Sequence, residues 1–182
     1  PEMGGRNVRN NEGKIVKAGQ PTEIASIYVS PVLPDTATRE WSDPTKAAGD
    51  KVARLRAVRV RDEQGQIRDT VDIRRPLSIE VEYEVLESGH VLQPFVQFHT
   101  QDGIMAFETS DADRHWRVRP RQSGRWVSVV CVPGNLLSEG ILFASPGLIT
   151  RDPVSLQFYV RDAVAFQVGD TLEGESARGD WN

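Results

Sequence analysis

A period of two dominates the polarity of this chain. Leu77, Ile79, Val81, Tyr83 and Val85 alternate with Ser78, Glu80, Glu82 and Glu84, the pattern of a strand buried on one face with an acidic face toward water. Upstream, Val52, Leu55 and the run Ala57-Val58-Arg59-Val60-Arg61 predict a strand that ends in the turn Asp62-Glu63-Gln64-Gly65. Downstream, Pro94 opens a strand over 95–100, Gln101-Asp102-Gly103 turns the chain, and 104–109 returns. Residues 126–132, 141–144, 156–160 and 164–168 predict four more strands. Ser123-Gly124, Pro133-Gly134-Asn135, Glu139-Gly140, Pro146-Gly147 and Asp152-Pro153 act as turns between them. Only Leu136-Leu137 hints at a helical turn, and no stretch sustains a helical period. About eight short strands at near-regular spacing predict an all-β domain, an antiparallel sandwich rather than a barrel.

The first fifty residues differ in kind. All four lysines (Lys14, Lys17, Lys46, Lys51) and five of the eleven prolines lie there or just beyond, and the opening twenty residues are rich in Gly and Asn without a period. One apolar stretch, 24–29, has the composition of a strand or a docking segment, and Pro31 and Pro34 stop it. Residues 1–50 therefore read as a linker or tether, and 51–182 as the sandwich. An upstream domain is the natural thing for such a tether to hold.

Composition narrows the function. With 182 residues, 38% of them hydrophobic and 26% charged, the chain suits one domain and a tail. No apolar run approaches the ~20 residues of a membrane span. No leader pattern opens the chain at Pro1, which reads as a piece of something longer. A net charge of -4 argues against a general nucleic-acid binder. The single cysteine, Cys131, excludes an internal disulfide framework and fits a reducing compartment; within Val129-Val130-Cys131-Val132 it is expected to be an inert core or sheet residue.

Catalytic signatures are missing. There is no G-x-S-x-G, and His90, His99 and His115 lack any zinc spacing, so no catalytic residue, metal or cofactor is assigned. Glu108, Asp111 and Asp113 are expected in a solvated loop facing arginines rather than around Ca²⁺. Paired carboxylates for glycoside cleavage are defined by their separation in space, so the many Glu and Asp residues here do not by themselves point to a glycosidase. The stretch 114–126 carries five arginines, two tryptophans and no acid. Such interleaving suits single-stranded nucleic acid or an anionic sugar, but Trp116 and Val118 against Arg117 and Arg119 equally suit an edge strand with an apolar inner face. The net charge weighs against nucleic acid.

Strand parity points to a better candidate. If Val96 and Phe98 face inward, then Phe95, Gln97 and His99 face outward; by the same count Phe143 is outward between Leu142 and Ala144. Leu156, Phe158 and Val160 inward would leave Gln157, Tyr159 and Arg161 outward. Aromatic platforms beside amide, imidazole and guanidinium donors suit a sugar, whose apolar C–H faces are rimmed by hydroxyls. The other reading is a face covered by another chain or by the N-terminal segment, and the two agree if dimerisation builds the site.

The order of features also resembles a known family. Trp41, Gly49-Asp50 and the run 53–60 look like an entry strand after a linker; Asp62-Glu63-Gln64-Gly65 and Pro76 through Tyr83 look like a turn and a second long strand. Pro94-Phe95-Val96-Gln97-Phe98-His99 with Asp102-Gly103 and Phe107-Glu108-Thr109-Ser110 resembles a central hairpin. Val132-Pro133-Gly134-Asn135-Leu136-Leu137-Ser138-Glu139-Gly140 resembles a helical turn before a strand, and Ala165-Phe166-Gln167-Val168 a last core strand. Together these resemble the C-terminal domain of Wzt-type proteins, the ATPase subunits of ABC transporters that export O-antigen polysaccharide. The likeness covers about residues 41–182. Leu142 stands where the pattern has an aromatic, and Gly174 to Asn182 departs from the usual tail, although Trp181 fits.

The resemblance implies an immunoglobulin-like β-sandwich that forms a homodimer, in some cases by exchanging a terminal strand. It implies a carbohydrate-binding module that recognises the capped non-reducing end of a lipid-linked O-antigen polysaccharide. Its partners would be that glycan and, through the full-length protein, the transporter's membrane subunit, at the cytoplasmic face of the membrane. The ATP site would lie upstream, which agrees with the lack of a G-x-x-x-x-G-K-[ST] loop here. The expected site is Phe95, Gln97, His99, Phe143 and Tyr159, with Trp116 and Arg117 at its rim. The alternative is a non-catalytic sandwich whose aromatic face docks a protein partner.

Overall fold

The computed structural model describes residues 7–11, 14–19, 36–111 and 113–170. It divides into two compact units, Pro1–Pro34 and Asp35–Asn182. In the first, β1 (Asn7–Asn11) and β2 (Lys14–Gly19) pair antiparallel with a register shift between Arg9 and Asn10. The apolar segment 24–29, Pro31, Pro34 and the tail with Trp181 lie outside the described residues.

The second unit contains β3 (Thr38–Glu40), β4 (Ala53–Arg61), β5 (Thr70–Asp72), β6 (Leu77–Val85), β7 (Leu92–Thr100), β8 (Met105–Ser110), β9 (Gly124–Val132), β10 (Gly140–Arg151), β11 (Val154–Tyr159) and β12 (Val164–Gly169). One sheet runs β3-β4-β6-β9; the other runs β5-β12-β10-β7-β8, with β11 also on β10. All pairs are antiparallel except β12 with β5. No helix forms among the described residues, and Leu136-Leu137 lies in a bend just after the turn at Gly134-Asn135. This is the all-β sandwich that the spacing of strands predicts.

The period of two has a direct cause. Val58, Val60, Ile79, Val81 and Tyr83 from one sheet and Val96, Phe98, Leu148 and Phe166 from the other are buried in one core. Each large side chain removed from water contributes about 1.5–3 kcal/mol, which fixes the face of every long strand. The sandwich is closed along one side, where Arg68 N donates to Val60 O, Gln167 N to Asp69 O and Ala165 N to Thr36 O. Along the other side β8 and β9 are both edge strands, and a cleft opens between them.

Several expectations are corrected. The sandwich begins earlier than residue 51, because Thr38, Arg39 and Glu40 pair with Arg59, Val58 and Ala57. The acidic face of β6 does not simply meet water: Arg59 binds Glu40, Glu80 and Glu82, Arg61 binds Glu80, Arg56 binds Glu84, and Arg125 binds Glu82. Burial works against the Arg59 charge, but hydrogen bonds to Glu40, Glu82 and Glu80 outweigh it and raise its pKa. The Arg61 hydrogen bond, ahead of the opposing effect of burial, holds Glu80 below its ordinary range. Cys131 is in the sheet but exposed rather than in the core, because the outer positions of β9, with Val127 and Val129 also open, lack a covering layer.

Pro146-Gly147 is not a turn, and Pro94 does not open its strand; both prolines lie inside strands. In an antiparallel strand a residue's N and C=O point to the same neighbour. Pro146 O accepts from Val160 N, so its missing donor falls where the partner of β10 changes from β12 to β11. Pro94 O accepts from Asp111 N, one residue past the end of β8, so its missing donor also costs no ladder bond.

Candidate functional site

The outer face of the larger sheet is set by register. Phe95 of β7 lies opposite Gly147 of β10, which lies opposite Tyr159 of β11. One step along, Gln97 stands between Glu108 of β8 and Ser145 of β10; a step further, His99 stands opposite Phe143. The parity argument therefore brings Phe95, Gln97, His99, Phe143 and Tyr159 onto one face.

Gly147 makes this face flat. A Cβ there would overlap the Phe95 ring at Cζ, Cε1 and Cε2, so the ring lies across the glycine. Phe95 and Tyr159 are nearly parallel, 13° apart with centroids at 6.2 Å. The Tyr159 hydroxyl donates to Gln97 Oε1 at 2.8 Å, and Gln97 Nε2 donates to Glu108 Oε2 at 2.8 Å. The result is an aromatic platform joined to an oriented amide and an exposed carboxylate, with both donor and acceptor capacity along one edge.

The other end of the face is closed. His99 is only 8% exposed, its Nδ1 lying 3.4 Å from Ser145 Oγ. The turn between β11 and β12 packs there: Asp162 N donates to the same Ser145 Oγ at 2.9 Å, and Arg161 reaches to within 3.5 Å of where a Gly103 Cβ would stand. His99 thus supports the platform, and Phe143 beside it is half-buried.

Three parity expectations fail for local reasons. A register shift between Leu148 and Ile149 pairs Ile149 with Leu156, so Leu156 faces out at 56% exposed while Gln157 is buried. Arg161 follows the strand rather than belonging to it. Residues 114–117 form a turn, not an edge strand. Asp113 accepts from His115 N through its carboxylate and from Trp116 N and Arg117 N through its carbonyl, an alternative that competes with sheet pairing.

That turn separates the two rim candidates. Arg117 stays exposed beside Gln93 and Arg151, at the far end of the platform's face. Trp116 turns into the cleft between β8 and β9, meeting Trp126 edge-on at 5.4 Å. Gly147, Glu108 and Ser145 lie by register within the candidate site, and sequence reasoning missed them. The signal for Gly147 was present, as a glycine flanked by apolar residues, but the dipeptide with proline read as a turn. Among the described residues no group of three His, Cys, Asp or Glu side chains is placed to hold a metal ion.

No protein-family model matches this chain, and no curated protein matches it. Among solved structures it is similar to the C-terminal domain of Wzt, at 12% identity and a TM-score of 0.60, covering 79% of this chain and 86% of that one. A CARDB domain from Pyrococcus furiosus matches more loosely, at 10% identity and a TM-score of 0.37, covering 71% of this chain and 99% of that one. The fold is the one the resemblance implied: the sandwich of a Wzt C-terminal domain.

Proposed function

We propose that this chain is a non-catalytic carbohydrate-binding module, and that it recognises the capped non-reducing end of a lipid-linked O-antigen polysaccharide for export by an ABC transporter. The observation that carries this reading is the platform of Phe95 and Tyr159 laid over Gly147, with Gln97 oriented between Tyr159 and Glu108. A pyranose ring stacks its C–H face on the aromatic pair, while its hydroxyls exchange with the Gln97 amide and accept or donate at the rim. The likeness to a Wzt C-terminal domain supports the same class of ligand. In this reading the working unit is a homodimer on the cytoplasmic side, tethered to an upstream ATPase domain that engages the membrane subunit. Two weak sites then act with the avidity of a linked pair.

The test is titration calorimetry with a panel of purified O-antigen polysaccharides. Binding to one of them, lost in Tyr159→Ala and Gln97→Ala while both variants stay folded, supports the reading. Full affinity in both variants overturns the site. Turnover of the glycan would make the module an enzyme, and capture of a protein with no glycan signal would make it a docking module.

A further inference from the structure

The open side of the sandwich holds a cleft of about 410 Å³ that the platform does not use. Trp116, Trp126, Asp111, Asp113 and Arg121 are among the residues that line it, with Asp113 exposed and Arg121 buried. Arg121 is 3% exposed and lies 5.4–5.6 Å above the rings of Trp126, Trp116 and Tyr83. Its Nη2 donates to Asp111 Oδ2 at 3.2 Å, but Nε and Nη1 are buried with no hydrogen-bond partner among the described residues. Buried donors left unsatisfied are costly, and burial lowers the pKa of this guanidinium to about 10.

We infer that this cleft is a second sugar subsite, one that takes a neutral pyranose residue against a lining that includes Trp116, Trp126, Asp111 and Asp113. The inference rests on the carbohydrate reading above. Two features choose the class of ligand. The cleft pairs surplus donors with surplus acceptors, and only a group that both donates and accepts, as a hydroxyl does, can serve the two together. An anion would find Arg121 already held by Asp111 and a second carboxylate at Asp113, and a cation would find the aromatic cage already filled by the guanidinium. The indole surface that Arg121 leaves open, with exposed Val127 and Val129 also in the lining, then meets the apolar C–H side of the ring. Phe95 and Ser110 border both the cleft and the platform's strand pair, so one glycan chain can run from the face around the β8 edge into the cleft.

The test follows the indole N–H signals of the ¹⁵N-labelled chain, assigned with Trp→Phe variants, while methyl glycosides of glucose, galactose and mannose are added. Sodium glucuronate and inorganic phosphate serve as anionic probes. Saturable shifts at Trp116 and Trp126 with a hexoside, but not at Trp41, are expected. Asp113→Asn keeps the acceptor that organises the turn and should weaken that binding about tenfold, the loss of one charged hydrogen bond. Trp116→Phe should weaken it too, with an unchanged unfolding transition. Shifts with the anions alone, no shift with any probe, or a change only in oligomeric state would each overturn the subsite. Tyr159→Ala separates the two readings. If it abolishes polysaccharide binding while the hexosides leave Trp116 and Trp126 unmoved, the cleft proposal fails and the platform stands. If it leaves binding intact while the indoles shift, the cleft stands and the platform fails.

Discussion

The Phe95 ring lies across the backbone of Gly147, on the neighbouring strand, in space that any side chain at 147 would occupy. The flatness of the platform is therefore encoded in a missing Cβ. Gly147→Ala should lift the ring, break its alignment with Tyr159 and cost about 1–3 kcal/mol, the range for overpacking a tight contact. The backbone at 147 is not left-handed, so the effect is steric. Urea unfolding measures the loss, and glycan titration should show weakened binding even where the variant remains folded. Unchanged stability and affinity would mean that the ring moves aside freely.

The Tyr159 hydroxyl orients Gln97, which in turn donates to Glu108. Tyr159→Phe keeps the ring and removes that bond, at a cost of about 0.5–1.5 kcal/mol. Glycan affinity should fall by a few-fold because the Gln97 amide is no longer held. Tyr159→Ala removes the platform as well and should be far worse. Calorimetry on both variants separates stacking from hydrogen bonding.

The long strands were legible because each is half-buried, so polarity reports the face at every step. What the chain hides is tertiary. β3 and β5 are three residues each, too short for a period to show. Pro146-Gly147 reads as a turn until β12 and β11 are seen to share one edge of β10 at that point. Parity carried Phe95, Gln97, Phe143 and Tyr159 to a common face, and a single bulge reversed it at Leu156 and Gln157. Parity puts His99 on this face too, but its cover comes from the turn between β11 and β12, which no local pattern announces. Trp116 leaves the alternation because the carboxylate and carbonyl of Asp113 hold a turn where the pattern suggests a strand.

Arg59 is the hub of the charged ladder on the smaller sheet, with Glu40, Glu80 and Glu82 all on its guanidinium. Arg59→Met leaves three carboxylates without their shared cation and should cost about 2–4 kcal/mol at pH 7, below the loss for a fully buried pair. The pH dependence has a definite sign. Glu80 is held below its ordinary value of 4.5, so its contribution is present above that pH and is lost as pH falls through the lower folded value. Wild type should lose stability as acid is added below about pH 4.5, and the difference between wild type and Arg59→Met should shrink over the same window. Chemical denaturation at a series of pH values checks both; a difference independent of pH would refute the hub.

Cys131 lies on the outer face of β9, beside exposed Val127 and Val129. A thiol in a packed core reacts with Ellman's reagent only when the protein opens. Here the single thiol should react completely in the native state, within a few-fold of its rate in denaturant. Protection in the monomer would return Cys131 to the core. Protection that appears only as protein concentration rises would show that association covers this edge.

Arg121 fills the space between Tyr83, Trp116 and Trp126 with a charge whose one anionic partner among the described residues is Asp111. Burial disfavours that charge, which is why the pKa falls to about 10. Replacing it by an apolar side chain of similar length removes the desolvation cost and keeps the volume, and Asp111, 22% exposed, regains water. Arg121→Met should therefore lie within about 1 kcal/mol of wild type at pH 7, or above it. Arg121→Ala opens a cavity between three rings and should cost about 2–4 kcal/mol. Because the folded state releases the Arg121 proton more readily than the unfolded chain, wild type should gain on Arg121→Met as pH rises past about 10. A hexoside that binds wild type should fail to bind the stable Met variant, since the guanidinium donors are gone while the rest of the lining remains. Thermal unfolding of both variants at pH 7 and 10.5, run beside the indole titration, decides whether this arginine is kept for its volume or for its N–H groups.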